Sequence, residues 1–181
     1  KEQRVYAKRP LREIDGIKIY VEPTLHDYQI GVDPSTGSVD PCGIKVVDVE
    51  TGELVASYKG FVPNNVQVEK TVQLGMMYSL KKLPLVIPDT TGVGQAFVEE
   101  LKKVYNRIYE REIFSKRERK TVDKLGFFIS FSTKTQLIEH MKQLFQKHFP
   151  KIYDEEVSSE MTKFIYSDSA QMLGAGAQNG Y

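Results

Sequence analysis

The stretch YQIGVDPSTG (Tyr28–Gly37) decides how this 181-residue chain is read. A strand-like apolar run goes straight into an acid, a proline, two hydroxyl residues and a glycine. Proline cannot donate to a ladder and glycine permits a sharp turn, so the strand ends at Asp33 and leaves its carboxylate at the edge. Asp is also favoured in turns for hydrogen bonds to its own backbone, so Asp33 alone reads as structural or chemical.

Further strand-like runs surround it. GIKIYVEP (Gly16–Pro23) alternates and stops at proline, while CGIKVVDVE and ELVASYKGFV follow Asp33 with Thr51-Gly52 as the hairpin turn between them. Tyr28 to Val62 is therefore predicted to be a three-stranded antiparallel meander. The period then changes. Asn64 and Asn65 are good cap residues, and Val68, Val72, Met76 and Leu80 form one helical stripe. PLVI (Pro84–Ile87) reads as a short buried strand that ends at Pro88-Asp89. A helix with Phe97, Val98, Leu101, Val104 and Tyr105 apolar comes next. The strands REIF and GFFISF (Gly126–Phe131) flank the basic run SKRERK (Ser115–Lys120). Ser132 or Thr133 is expected to cap a helix with Leu137, Ile138, Met141, Leu144 and Phe145 on one face. A last helix is expected over Asp154–Ile165. The order β-β-β-α-β-α-β predicts an α/β fold with a mixed sheet and helices on its faces.

In open α/β sheets reactive groups collect at the carboxyl ends of strands. Two strands here end in an acid, Asp33 and Asp89, and each acid is followed by hydroxyl residues and a glycine. On neighbouring strands the two carboxylates share a pocket, where they repel unless divalent cations bind. Two metals about 4 Å apart activate water and stabilise the leaving oxygen of a phosphodiester, so the pair points to metal-assisted phosphodiester hydrolysis. Asp40 is a minor candidate for the same site, and Asp48 and Glu53 read as turn or solvent-face acids.

Composition fits one domain over residues 1–181, with 1–15 peripheral: 40% hydrophobic, 27% charged and a net charge of +1. No apolar run has membrane-spanning length, and the opening KEQRVYAKRP has no signal-peptide core. The single Cys42 excludes an internal disulfide and a cysteine-based zinc site, and His26, His140 and His148 have no ligand spacing. Between Leu101 and Lys124 nine Lys/Arg face four acids. Lys116, Arg117, Arg119, Lys120 and also Lys134 are the candidates for contacting a nucleic-acid backbone, against the plain reading of a solvated loop. GVGQAF lacks the third glycine of a dinucleotide fingerprint, and there is no P-loop. Ser35 and Thr36 have no histidine placed to activate them.

These motifs in this order resemble the nuclease domain of tailed-bacteriophage terminase large subunits, a branch of the RNase H-like (retroviral-integrase-like) superfamily. IKIYVEP with YQIGVDPSTGSVD is similar to that family's first-strand segment, and VIPDTTGVGQAFVEEL to its second acidic motif. GFFISFSTKTQLIEHMKQLF is similar to its segment of Gly-Phe, hydroxyl residues and a helix. EVSSEMTKFIYSD…QNGY is similar to the stretch that leads into a His-Asp-Asp motif. The resemblance implies a metal-dependent endonuclease that cuts double-stranded DNA, the concatemeric viral DNA of genome packaging, with Asp33 and Asp89 as ligands of two Mg2+ or Mn2+ ions. It places a third acid beyond Tyr181, and Asp168 does not match that position. It further implies an ATPase motor domain in the same parent chain, portal and small-subunit partners, and residence in the cytoplasm of an infected bacterium. Another RNase H-like nuclease, of resolvase or transposase type, and a non-catalytic DNA-binding or assembly module are the alternatives.

Overall fold

The computed structural model describes residues 8–115, 120–147 and 150–167. Its main sheet has six strands, β1 (Arg12–Ile14), β2 (Ile17–Ile19), β3 (Tyr28–Asp33), β4 (Cys42–Asp48), β5 (Leu54–Gly60) and β6 (Leu85–Pro88). They lie in the order β1-β2-β5-β4-β3-β6. β3 and β6 are parallel and the other pairs antiparallel, which is the mixed sheet the element order predicts. Arg12–Ile14, inside the segment expected to be peripheral, forms the edge strand.

The meander runs as predicted through β3, β4 and β5. Asp48 ties its second turn, accepting from the backbone N–H of Glu50 (2.8 Å) and Thr51 (3.1 Å), and Gly52 adopts φ 67°. Asp48 is thus the turn acid of the two readings, and neither it nor Glu53 lies on the solvent face. Asp48 is buried and bonded to His26 at 2.7 Å, and Glu53 accepts from the Tyr153 hydroxyl at 2.6 Å. The strand expected over Gly16–Pro23 is confined to Ile17–Ile19. Tyr20 and Val21 both donate to the Val55 carbonyl (2.8 and 3.2 Å), so the regular ladder ends there.

After β5 the chain crosses over one face of the sheet as helix α1 (Asn64–Met77). The stripe expected along Val68, Val72, Met76 and Leu80 is not the buried one, since Met76 and Leu80 are 62% and 59% exposed. The buried residues are Gln67, Val68, Thr71, Leu74 and Gly75, and the helix ends at fully buried Tyr78. Tyr78 decides the rotation. Its ring meets Tyr28 edge-on at 4.9 Å, and its hydroxyl donates to the Val21 carbonyl at 2.7 Å. Pro63 holds the N-cap position, in place of Asn64 or Asn65, and gives no side-chain cap.

Helix α2 (Gly94–Leu101) follows β6, with Phe97, Val98, Leu101 and Tyr105 buried as predicted, while Val104 is exposed. Together α1 and α2 cover Ile30, Val32, Ile44, Val46 and Val86, which is the core of the molecule. Beyond β6, residues 107–109 continue the sheet edge, because Val86 N–H donates to Arg107 O and Tyr109 N–H to Val86 O. A two-stranded hairpin, β7 (Glu110–Ser115) and β8 (Lys120–Leu125), then projects from that edge.

Gly126–Phe131 does not form the expected strand. Only Phe127 pairs, through an isolated parallel bridge to Asp89, and Phe131 already begins helix α3 (Phe131–Gln146). Ser130, rather than Ser132 or Thr133, caps this helix. Its side chain accepts from Thr133 N–H, and Thr133 Oγ1 accepts from Ser130 N–H, so the capping box fixes the start. None of the face Leu137, Ile138, Met141, Leu144 and Phe145 is buried among the described residues. Helix α4 (Glu155–Ser167) starts one residue later than expected, with Asp154 Oδ1 accepting from Glu156 and Val157 N–H.

The start of α4 lies on the sheet face opposite α1. Lys45 and Ser57 are paired across β4 and β5, and both reach Asp154, Ser57 Oγ at 2.7 Å and Lys45 Nζ at 3.4 Å. Burial pushes the Lys45 ammonium pKa down. For Asp154, burial acts to raise the pKa, but the hydrogen bond from Ser57 and the charge of Lys45 outweigh it and leave it lowered. Helices therefore flank both faces of the sheet.

Candidate active site

Asp33 ends β3. Tyr28, Ile30 and Val32 point into the core, so Gln29, Gly31 and Asp33 point to the opposite face, the face of Lys45 and α4. In β6, Val86 and Pro88 are the core-facing residues, and Asp89 continues the alternation on the other side. The parallel register runs Gln29↔Leu85 to Val32↔Pro88, and Asp89 N–H extends it by donating to Val32 O at 2.9 Å. Asp33 and Asp89 are therefore the next pair in register. They are two carboxylates side by side at the carboxyl ends of adjacent strands, projecting from one face.

The surroundings hold both acids in place. Gln67 of α1 is fully buried and makes a clamp on the turn after Asp33. Its Oε1 accepts from Ser35 N–H (3.2 Å), and its Nε2 donates to the carbonyls of Ser35 and Val62 (both 2.8 Å). Gly94 does the same for Asp89 by close approach. A Cβ on Gly94 would fall 1.9 Å from the Asp89 carbonyl oxygen, and only 3.8 Å from Pro34, so α2 can seat against both acid turns only with glycine here. The Asp89 Oδ1 accepts from Thr91 N–H at 2.8 Å, and Thr91 Oγ1 accepts from Ile129 N–H at 3.2 Å. Gly126, at φ 78°, packs against Thr90 and the Pro88 carbonyl and carries Phe127 into its bridge with Asp89.

Electrostatics single out Asp33. Partial burial raises its pKa, and the charges of Asp89 and then Asp40 push it further up. Asp40, the minor candidate, is an exposed acid close enough to be felt at Asp33. Among the described residues, no basic side chain is paired with Asp33. Carboxylates pressed together without a protein cation are hard oxygen donors of the kind Mg2+ and Mn2+ take. The two acids fit such an ion as part of its ligand set. Among the described residues, no three His, Cys, Asp or Glu side chains are grouped as a metal site.

Of the other candidates, Lys134 is exposed on the first turn of α3. Lys120 opens β8. Lys116, Arg117 and Arg119, like Asp168 and His148, lie outside the described residues. Gln67 and Gly94 escape the sequence reading. Gln67 was legible only as a polar residue beside Val68 on a helix, and Gly94 only as the second glycine of GVG.

A mixed sheet with paired acids at the ends of two adjacent parallel strands, β3 and the edge strand β6, and with helices on both faces, is the fold of solved terminase nuclease domains. The chain aligns with the large terminase nuclease of thermophilic phage G20c at TM-score 0.63 and 19% identity, covering 87% of this chain and 75% of that one. The magnesium-bound structure of the same nuclease aligns at TM-score 0.64 and 20% identity over the same shares. The large terminase nuclease domain of Thermus phage P74-26 aligns at TM-score 0.58 and 20% identity, over 86% of this chain and 72% of that one. The G20c nuclease has also been solved with zinc and with cobalt. No protein-family profile and no curated protein matches the chain. Among the described residues, no helix is long and apolar enough to cross a membrane.

Proposed function

We propose that this chain is a metal-dependent endonuclease domain that cuts double-stranded DNA, in the setting of viral genome packaging. The observation that carries the reading is the Asp33–Asp89 pair, set side by side by the β3–β6 register on the uncovered end of a terminase-type sheet. Asp33 and Asp89 hold the divalent ions, Mg2+ or Mn2+. Such ions, when bound, supply a water of lowered pKa and neutralise charge on the scissile phosphate. Burial and the charges of Asp89 and Asp40 disfavour ionisation of Asp33, so a bound cation relieves it. Gln67 fixes the turn after Asp33, Gly94 lets α2 seat against the Asp89 turn, and the Thr91 N–H bond orients Asp89.

A third acid following Tyr181 completes the ligand set, an ATPase motor domain shares the parent chain, and portal and small subunits are the partners, in the host cytoplasm. The Lys116–Lys120 run and Lys134 contact the DNA backbone. The deciding experiment incubates supercoiled plasmid with the 181-residue chain, and with the chain extended through its natural continuation, in Mg2+ and in Mn2+. The extended chain should relax and linearise the plasmid, and Asp33→Asn and Asp89→Asn should abolish this. Cleavage that persists in Asp33→Asn would remove the proposed site. DNA binding without cleavage in any divalent metal points instead to a binding module of the same fold.

A further inference from the structure

We infer that one face of the β7–β8 hairpin is a grip for the phosphate backbone of DNA, centred on Arg111 and Lys124. Residues directly opposed in an antiparallel pair share a face. The register puts Arg111 opposite Lys124 and Ile113 opposite Val122 on one side. Glu110 opposite Leu125 and Glu112 opposite Asp123 fall on the other. Bases and acids are thus sorted onto opposite faces of a ribbon two strands wide.

Like charges directly opposed on one face are destabilising, whereas several other cations of this chain are paired with acids, as in Arg12–Glu22, Lys82–Asp27 and Lys59–Glu156. Among the described residues, neither Arg111 nor Lys124 has an ion pair or a side-chain hydrogen bond. The Arg111 guanidinium lies over the Phe128 ring at 5.3 Å, and its Nε is enclosed with no partner. Phe128 is itself 43% exposed. The enclosed Nε, without a partner among the described residues, carries a desolvation cost that the fold itself does not offset. The stack holds the planar fork still, with donors free for an anion, as bidentate phosphate recognition needs.

The position suits a substrate lying across the two acids. Gly126 N–H donates to Tyr109 O at 2.7 Å, Phe127 N–H to Pro88 O at 2.8 Å, and Phe127 bridges Asp89. Lys124 is three residues from Phe127, so the chain holds the two within about 10 Å at most. One strand of a duplex spans that distance in roughly three phosphates. The hairpin face therefore meets the same duplex that reaches Asp89, a few phosphates from the cut. This rests on the endonuclease reading above, which supplies DNA as the ligand.

The test is fluorescence anisotropy of a labelled 30-bp duplex in EDTA, with salt varied from 50 to 200 mM. Arg111→Gln/Lys124→Gln removes two phosphate contacts, so its log–log salt slope should be flatter by about 1.8. Over that salt range the parent should lose about 12-fold more affinity than the variant. Lys124→Gln alone, at an exposed position, should flatten the slope by about 0.9, which keeps the test valid if the double variant misfolds. Glu110→Gln/Glu112→Gln, on the opposite face, should not flatten it. An unchanged slope in both lysine variants overturns the grip, as does equal weakening of binding to polyglutamate, a polyanion without phosphates. A parent that binds no DNA overturns it too. DNA binding with the expected slopes but no cleavage by the extended chain would sink the endonuclease reading and leave the grip standing. Cleavage with unchanged slopes would do the reverse.

Discussion

Replacing Asp33 by Asn isolates the electrostatics of the acid pair. Adjacent strands lie about 4.8 Å apart, so the two carboxylates are roughly 5 Å from one another. Their repulsion is about 3 kcal/mol at an effective dielectric of 20 and about 0.8 kcal/mol in fully water-like surroundings. Asp33 is an exposed residue, so screening puts the value at the lower end, about 1 kcal/mol. In EDTA at neutral pH, Asp33→Asn should therefore be more stable than the parent by about 1 kcal/mol in urea unfolding. The pH dependence has a definite sign. The folded-state pKa of Asp33 is raised, so its contribution is fully present below the unfolded value of 3.8 and is lost as pH rises through the higher folded value. The gap between variant and parent should thus close at acid pH and open as pH rises through the carboxylate range. Added Mn2+ should stabilise the parent and not the variant. Equal stabilisation of both by Mn2+, or a variant less stable than the parent in EDTA, would refute the pairing of the two acids.

Other expectations follow from the same contacts. Gln67→Leu leaves Ser35 N–H and the Ser35 and Val62 carbonyls without their partner, and should cost about 1–3 kcal/mol in chemical denaturation. It should also raise the Mn2+ concentration needed for half-maximal plasmid cleavage. Gly94→Ala drives a methyl group into the Asp89 carbonyl and should cost about 1–3 kcal/mol, with cleavage falling further than the stability loss explains. His26, whose pKa is raised chiefly by its bond to Asp48, contributes stability that is present below its unfolded value of 6.5 and lost as pH rises through the folded one. Thermal unfolding of His26→Gln should therefore show a weaker change in midpoint between pH 6 and pH 8 than the parent.

Much of the fold could be read from residue order because local signals agreed with it. Alternation and turn chemistry placed β3, β4 and β5, and Pro88-Asp89 marked the end of β6. Asp33 and Asp89 were legible for the same reason, since each closes an apolar run before a turn. What failed did so where tertiary contacts outweighed pattern. Tyr78 turned α1 away from its apparent stripe, and the Phe127 bridge with the Ser130 cap converted an apolar run into a strap and a helix start. Gln67 and Gly94 were invisible as site residues because both act through the backbone of distant segments. Likewise Arg111 was one cation among several until the register set it against Lys124.

The parallel pairing of β3 with β6 also governs when the chemistry can exist. The meander is built from neighbours in sequence and carries one of the two acids. The second joins only after α1 has crossed the sheet and β6 has found its register, a non-local step of the slow kind. A ribosome-bound or half-folded chain therefore presents no paired carboxylates, and the proposed metal site comes into being only with completion of the sheet itself.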